Sequence, residues 1–265
     1  MPLPFLLTLL TLGFVGAFIA GLLGVGGAIL MIPLLLYVPA WLGFPPLDVK
    51  VVAAVSMVQV LFAALSGAIA HGRQGKVHRE LAVTAGAAAA LGSLAGGVAS
   101  RWLPASALLL TFAVMATLGA VLMFLAPSEV GPSLPAEAPA PSFSRSRALL
   151  VGLGVGTMAG LVGAGGAFLL VPLLITVVRV PTRITIGSSL AITLWTAVAG
   201  LLGKLVTGQV PLLLSAALVL GAVPGAQCGE WASRRCGIRA LRGLLTGITA
   251  LVAVRVWVDV FSRLR

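Results

Sequence analysis

Residues 20–35 read AGLLGVGGAILMIPLL, and residues 159–174 read AGLVGAGGAFLLVPLL. Eleven of these 16 positions are identical at an offset of 139 residues. The match resumes at an offset of 133, where Ser56 corresponds to Ser189. A constant offset over about 50 residues indicates an internal repeat. Both copies place three glycines inside an apolar run.

The composition indicates a membrane protein. Of the 265 residues, 60% are hydrophobic and 9% are charged, whereas soluble domains carry about 25% charged residues. Too little polar surface remains to cover a water-soluble globule. The net charge of +11 comes from 17 Lys and Arg against six Asp and Glu, with no run of more than two cations. A nucleic-acid-binding surface is therefore not expected, because such surfaces cluster their cations.

Ten hydrophobic segments follow one another along the chain. A membrane-spanning helix needs about 20 predominantly apolar residues. The segments are residues 5–24, 26–42, 49–70, 80–100, 105–126, 148–163, 165–178, 184–203, 211–232 and 238–260. They predict an all-α polytopic membrane protein. The first segment is interpreted as a retained helix because no cation precedes Lys50; a signal peptide, which begins with positive charges, is the alternative.

A Pro-rich stretch divides the chain into two halves. Residues 127–147 contain five of the 16 prolines, which predicts a flexible linker. Residues 1–126 then form an N-terminal transmembrane repeat and residues 148–265 a C-terminal one, together making one transport domain. With five segments in each half, an odd number, the two repeats are expected to have opposite orientations in the membrane.

The cations predict which side of the membrane is cytoplasmic. Their split between the two sides is eleven to six under this topology. The positive-inside rule assigns the richer side, which includes Arg145 and Arg147, to the cytoplasm. Both termini are then extracytoplasmic, in a multi-pass protein of the cell (inner) membrane.

The glycine clusters are the first candidate for a binding site. The residues concerned are Gly24, Gly26, Gly27, Gly163, Gly165 and Gly166. A broken helix is tolerated in lipid only where its freed backbone groups are buried or line a cavity. Each cluster is expected to end one half-helix and begin another, whose positive N-terminal end favours an anion. Pro33 and Pro172 are expected to bend or end the new helix.

Close helix packing is the alternative use of small residues in membranes. It is the preferred interpretation for Gly92, Gly96, Gly225 and Gly229.

Polar side chains in the third and eighth segments extend this predicted site. The candidates for binding substrate are Ser56, Gln59, Ser188 and Ser189. For the serines, a bond back to a carbonyl of the same helix is the alternative. Gln59 favours function, because an amide in a span is expensive to leave unpaired.

Further polar residues are candidates for a substrate pathway, namely Thr193, Lys204, Gln227 and Glu230. Each has a structural alternative. Lys204 and Arg101 are expected to extend to the membrane interface. Glu230 is spaced to form an ion pair with Arg234, four residues on. Gln227 and Cys228 line a cavity or fill the core, and His78 is interpreted as a solvated loop residue.

The chain shows no catalytic pattern. Walker A, HExxH and GxSxG motifs are absent, and the six acids lie mostly in loops. The two cysteines form neither a disulfide framework nor a CxxC pair. No catalytic residue, metal or organic cofactor is therefore expected, which disfavours a membrane enzyme.

The sequence resembles the TauE/SafE sulfite exporter family of bacterial membrane proteins. The resemblance rests on GLLGVGGAILMIPLL (residues 21–35), GLVGAGGAFLLVPLL (160–174) and IGSSLAI (186–192). Residues 55–57 read Val-Ser-Met, where such proteins commonly have Thr-Ser-Leu. The resemblance implies transport of sulfite, thiosulfate, or sulfonates such as sulfoacetate.

The hypothesis is a secondary transporter of a small anion, working by alternating access between the two repeats. Its partners are that substrate and the lipid bilayer. An anion channel or uniporter with the same site, or a membrane assembly factor that transports nothing, is the alternative. No motif favours a monomer over a dimer.

Overall fold

Each hydrophobic segment forms one helix. The computed structural model describes residues 3–23, 28–72, 77–125, 143–233, 235 and 238–264. Its helices are α1 (Leu3–Leu23), α2 (Ala28–Trp41), α3 (Val49–Gly72), α4 (Arg79–Ala99), α5 (Ala105–Leu125), α6 (Arg145–Val162), α7 (Ala167–Leu173), α8 (Thr182–Val206), α9 (Leu212–Ser233) and α10 (Ile238–Leu264). None of the described residues lies in a strand, so the predicted all-α fold is confirmed.

The described part of the chain contains six helices that are long and apolar enough to cross a bilayer. They are Leu3–Leu22, Arg79–Ala99, Ala105–Leu125, Gly187–Val206, Leu212–Gly229 and Gly243–Ser262. Shorter apolar helices lie at Ile29–Trp41, Val49–Leu65 and Ala167–Val178. The chain is therefore a multi-pass membrane protein, and many large apolar side chains lie on its outer surface, where lipid is their solvent.

The prolines of the two short helices, α2 and α7, have different effects on the helix. Pro172 lies one residue before the end of α7, and a π-helical turn, Leu174–Val178, follows directly. Because proline has no N–H, it removes one backbone hydrogen bond of the α-helix. Pro33, in contrast, lies inside α2, which continues to Trp41. Pro172 thus marks the end of regular α-helix as expected, whereas Pro33 does not end α2.

Helices from the two halves pack against each other in matching pairs. The repeat makes α1 the counterpart of α6, and α4 the counterpart of α9. The structure packs α1 against α9 and α4 against α6. It also packs α4 against α8 and α3 against α9, which are again counterparts, and it joins α3 to α8 and α5 to α10. Each half therefore completes the packing of the other.

Glycines make the close contacts in two of these pairs. A β-carbon on Gly96 would meet the carbonyl oxygen of Thr157, and one on Gly229 would meet that of Phe18. Thr157 and Phe18 are themselves equivalent at the offset of 139. Gly92 and Gly225 likewise lie against carbonyls of α6 and α1. The packing role predicted for these four glycines is confirmed, because only glycine permits this backbone approach.

Helix directions follow from the same contacts. Positions 221, 225 and 229 of α9 meet residues 10, 14 and 18 of α1 in order, so these helices are parallel. The equivalent helices α3 and α8 are antiparallel, because Met57 contacts Gly200 whereas Val60 and Thr193 meet at Gly165. Two repeats of opposite orientation require this antiparallel relation between equivalent helices.

Candidate functional site

The second glycine cluster breaks the helix where the sequence predicts it. α6 ends at Val162 and α7 begins at Ala167. Between them, Gly163, Gly165 and Gly166 have φ angles of +77°, +62° and +78°. This left-handed region favours glycine because a side chain there is strained. The first cluster, Gly24, Gly26 and Gly27, lies outside the described residues.

The helix break, residues 163–166, packs between α3 and α8. A β-carbon on Gly163 would overlap the carbonyl oxygen of Ala53 in α3. One on Gly165 would overlap Cγ1 of Val60 and lie 3.2 Å from Cγ2 of Thr193 in α8. Larger residues in the break would therefore push these two helices apart.

Ser56 connects α3 to the break. Its hydroxyl Oγ lies 3.1 Å from the carbonyl oxygen of Gly163 and 3.4 Å from that of Ala53 in its own helix. The shorter contact crosses to the break, where a carbonyl freed from the helix needs a donor. In this conformation the hydroxyl of Ser56 stabilises the interrupted backbone.

Gln59 and Thr193 carry buried polar atoms for which the described residues offer no hydrogen-bond partner. Both side chains are 0% exposed. Oε1 and Nε2 of Gln59 and Oγ1 of Thr193 have no hydrogen-bond partner among the described residues. Gln59 lies one turn beyond Ser56 and next to Val60, which contacts Gly165. Because buried polar atoms are nearly always paired, these two side chains are candidates for contact with a ligand or water.

Ser188 has a partner at the start of α4. The backbone N–H of His78 donates to its Oγ at 3.0 Å. His78 in turn caps α4, because its Nδ1 accepts from the N–H of Leu81 at 3.2 Å. Its ring also meets Phe143 edge-on, with 5.5 Å between the ring centroids. His78 is therefore a half-buried helix cap rather than a solvated loop residue. Ser189 is buried on α8.

Lys204 is buried rather than extended to the membrane interface. Its Nζ donates to Oγ of Ser100 at 2.9 Å and to the carbonyl oxygen of Leu161 at 3.2 Å. Leu161 lies in the last turn of α6, where carbonyls lack partners within the helix. The expectation for Lys204 is wrong because α4, α6 and α8 enclose its side chain. Arg101, by contrast, is exposed.

The remaining pathway candidates, Gln227 and Glu230, belong to α9. Gln227 and Cys228 are exposed, so Cys228 does not fill the core. The side chain of Glu230 and the whole of Arg234 lie outside the described residues, and so does the ion pair predicted between them. In the part of the chain that the structure describes, no three His, Cys, Asp or Glu side chains are grouped to hold a metal.

A family comparison agrees with this architecture. Residues 9–256 match the family described as Sulfite exporter TauE/SafE. The chain belongs to the TauE/SafE family. This confirms the resemblance carried by the doubled glycine motif.

Curated relatives of this TauE/SafE chain are named as transporters. A "Probable membrane transporter protein" of Xylella fastidiosa is 30% identical over 95% of this chain and 92% of its own length. "Probable membrane transporter protein YdhB" of Bacillus subtilis is 27% identical over 82% of this chain and 85% of its own. No solved structure matches significantly. Family and relatives together identify the TauE/SafE chain as a membrane transporter.

Proposed function

We propose that this TauE/SafE protein is a secondary transporter that moves a small sulfur-containing anion by alternating access. One observation carries the proposal: on the two helices that enclose the helix break of a membrane transporter, Gln59 and Thr193 have buried polar atoms with no partner among the described residues. The family description names sulfite. Thiosulfate and sulfonates such as sulfoacetate are the related anions that the sequence resemblance implies.

The chemistry of the break suits an oxyanion. Nε2 of Gln59 and the hydroxyl of Thr193 are hydrogen-bond donors. The first N–H groups of α7 lack partners within the helix and form the positive end of its dipole. Several neutral donors can share the charge of one sulfur oxyanion among its oxygens. Oε1 of Gln59 is an acceptor, so a water molecule or a donor group on the substrate completes the set.

The burial of the site favours alternating access over an open pore. Gln59 and Thr193 are 0% exposed, so a substrate reaches them only after α3 or α8 moves away from the break. These two helices are repeat equivalents and run antiparallel past the break. A movement of one helix opens the site to one side of the membrane, and the equivalent movement of the other helix opens it to the opposite side.

The proposal keeps the topology predicted from the charges. The start of α6, with Arg145 and Arg147, lies in the cytoplasm, and the α4–α5 turn lies outside. Residues 1–126 and 148–265 act as two repeats of one transport domain, joined by the linker 127–147. The membrane is the cell (inner) membrane.

Flux into proteoliposomes tests the function. Purified protein is reconstituted and offered sulfite, thiosulfate, sulfoacetate, sulfate or acetate, with protein-free liposomes as the control. We expect saturable uptake of at least one sulfur oxyanion or sulfonate and little uptake of acetate. Flux that rises linearly without saturation contradicts alternating access, and an absence of flux for every sulfur compound contradicts the substrate class.

A further inference from the structure

Lys204 is a buried lysine whose partners among the described residues are neutral groups. Its side chain is 0% exposed. Two of its three N–H donors bind the hydroxyl of Ser100 and the carbonyl of Leu161, and the structure gives the third no partner among the described residues. The hydroxyl of Ser100 also contacts Oε1 of Gln209 at 2.9 Å and the carbonyl oxygen of Gly97 at 2.7 Å, and both of these groups are neutral.

The described carboxylates are engaged elsewhere. Glu80 pairs with Arg145, and Asp259 pairs with Arg255. Asp48 accepts the backbone N–H of Lys50 at 2.7 Å. No described carboxylate therefore pairs with Lys204. A buried ammonium without a counter-ion is expensive in a membrane and is a functional candidate by default.

A second ammonium approaches the same turn. Nζ of Lys50 donates to the carbonyl oxygen of Arg101 at 2.7 Å, and Arg101 directly follows Ser100. Two lysines thus bind adjacent residues of the α4–α5 turn. Because like charges repel, an anion bound near this turn stabilises the arrangement.

We propose that Lys204 binds the transported anion on the side of the membrane that holds the α4–α5 turn, before the anion reaches the helix break. An oxyanion forms charge-assisted hydrogen bonds, which are stronger than those to a hydroxyl or a carbonyl. It therefore displaces Ser100 and Leu161 as acceptors for Nζ. This inference rests on the proposed function, because it concerns the same substrate.

Release of Leu161 connects this step to the central site. Leu161 lies two residues before Gly163, where the break begins. Its carbonyl loses a donor when Nζ turns to the anion, so the end of α6 is freed next to the break. The offset of 133 places His71, not a second lysine, at the equivalent position of the first half. The contribution of Lys204 is therefore specific to one side of the membrane.

Transport kinetics measured separately from each side test the inference. Lys204→Gln is compared with wild type in proteoliposomes sorted by orientation. We expect KM to rise about tenfold or more for substrate offered on the α4–α5 side, as expected for loss of a hydrogen bond to a charged group. KM measured from the opposite side should stay near wild type.

Arg101→Gln is the matched control, because it removes one positive charge from the same turn at an exposed position. We expect its KM to stay near wild type from both sides. An equal rise in both variants overturns the inference, since a general surface field then explains the effect. Unchanged KM in Lys204→Gln from both sides also overturns it, while wild-type transport leaves the proposed function intact. Absence of wild-type transport overturns both.

Ser100→Ala tests anion binding by Lys204 in a second way if Lys204→Gln does not fold. This change removes one acceptor of Nζ and preserves the charge of Lys204. We expect a lower KM on the α4–α5 side, because the anion then displaces fewer bonds. An unchanged or higher KM on that side overturns the inference.

Discussion

At the candidate site, the amide of Gln59 and the hydroxyl of Thr193 are buried without a partner among the described residues, which lowers the stability of the folded protein. A buried polar group without a hydrogen bond costs roughly 1–3 kcal/mol. Neither atom of the Gln59 amide has a partner in the described part of the chain. A leucine of similar size would avoid this cost, which is why we propose that the amide binds substrate.

Replacing Gln59 separates binding from stability. We expect Gln59→Leu to leave the melting temperature unchanged or higher, because the unpaired amide is removed. We also expect it to weaken transport about tenfold or more, because a donor to the substrate is lost. Thermal unfolding in detergent and proteoliposome flux measure the two effects.

Thr249→Val is the control for Gln59→Leu, since Thr249 is buried but bonds back to Leu245 of its own helix. Its transport should match wild type. A Gln59→Leu protein that unfolds early but still transports normally per folded molecule would assign the amide to structure.

A single residue can be singled out from the sequence when its polarity alone makes it unusual at that position. Gln59 is predictable because any amide in an apolar span is costly. The burial of Lys204 is not predictable in this way. A lysine near the end of a membrane helix is expected to reach water, but this expectation takes no account of the helices that surround it. The structure places Lys204 inside a cluster of three helices, and only their packing reveals this. The same holds for His78, whose backbone N–H donates to Ser188, 110 residues away in the sequence.

At the scale of helices, glycine has two separate uses in this protein. In the break it provides left-handed backbone, and in α4, α6 and α9 it permits close contact with a neighbouring helix. Gly156 belongs to the second group, because a β-carbon there would overlap the carbonyl oxygen of Ala89 in α4. Gly154, two residues earlier in α6, has no neighbour within 4 Å of its β-carbon position.

This contrast predicts opposite effects of the same substitution within one helix. Gly156→Ala should lower the melting temperature clearly, because α6 must move away from α4. Gly154→Ala should leave it unchanged or raise it slightly, since alanine favours helix over glycine by about 1 kcal/mol. Thermal unfolding of both purified variants checks the prediction, which equal melting temperatures would contradict.

Helix positions were predictable to within a few residues, because the glycine clusters, prolines and charges that end the apolar runs are visible in the sequence. The effect of each proline on its helix was not predictable from the sequence. Pro33 and Pro172 are equivalent in the repeat, yet only Pro172 is followed by a π-helical turn. The local motif is shared, so the difference arises from surroundings that the sequence does not specify.

For the whole molecule, the repeat predicts which helices are equivalent but not which ones touch. Small residues occur on nearly every helix, so many pairings satisfy the sequence. The structure selects α1 with α9 and α4 with α6, and it sets α3 antiparallel to α8. The opposite orientation of the two halves predicts which loops lie on each side of the membrane.

Cysteine labelling in intact cells tests this prediction. Cys228 and Cys236 are first replaced by serine, and single cysteines are then introduced as Leu42→Cys or Ser146→Cys, both at exposed positions. We expect a membrane-impermeant maleimide to label position 42 in intact cells and position 146 only after permeabilisation. Labelling of both positions from the same side would contradict the predicted topology.

The contact between α1 and α9 has a consequence for biosynthesis. Gly13 of α1 packs against Leu218 of α9, which is synthesised about 200 residues later. At about 5–20 residues per second, translation separates the two on the order of ten to forty seconds. During that time the small-residue face of α1 meets only lipid or the insertion machinery. A ribosome stalled before α9 would therefore leave an incomplete protein whose first helix exposes this face to membrane quality-control proteases.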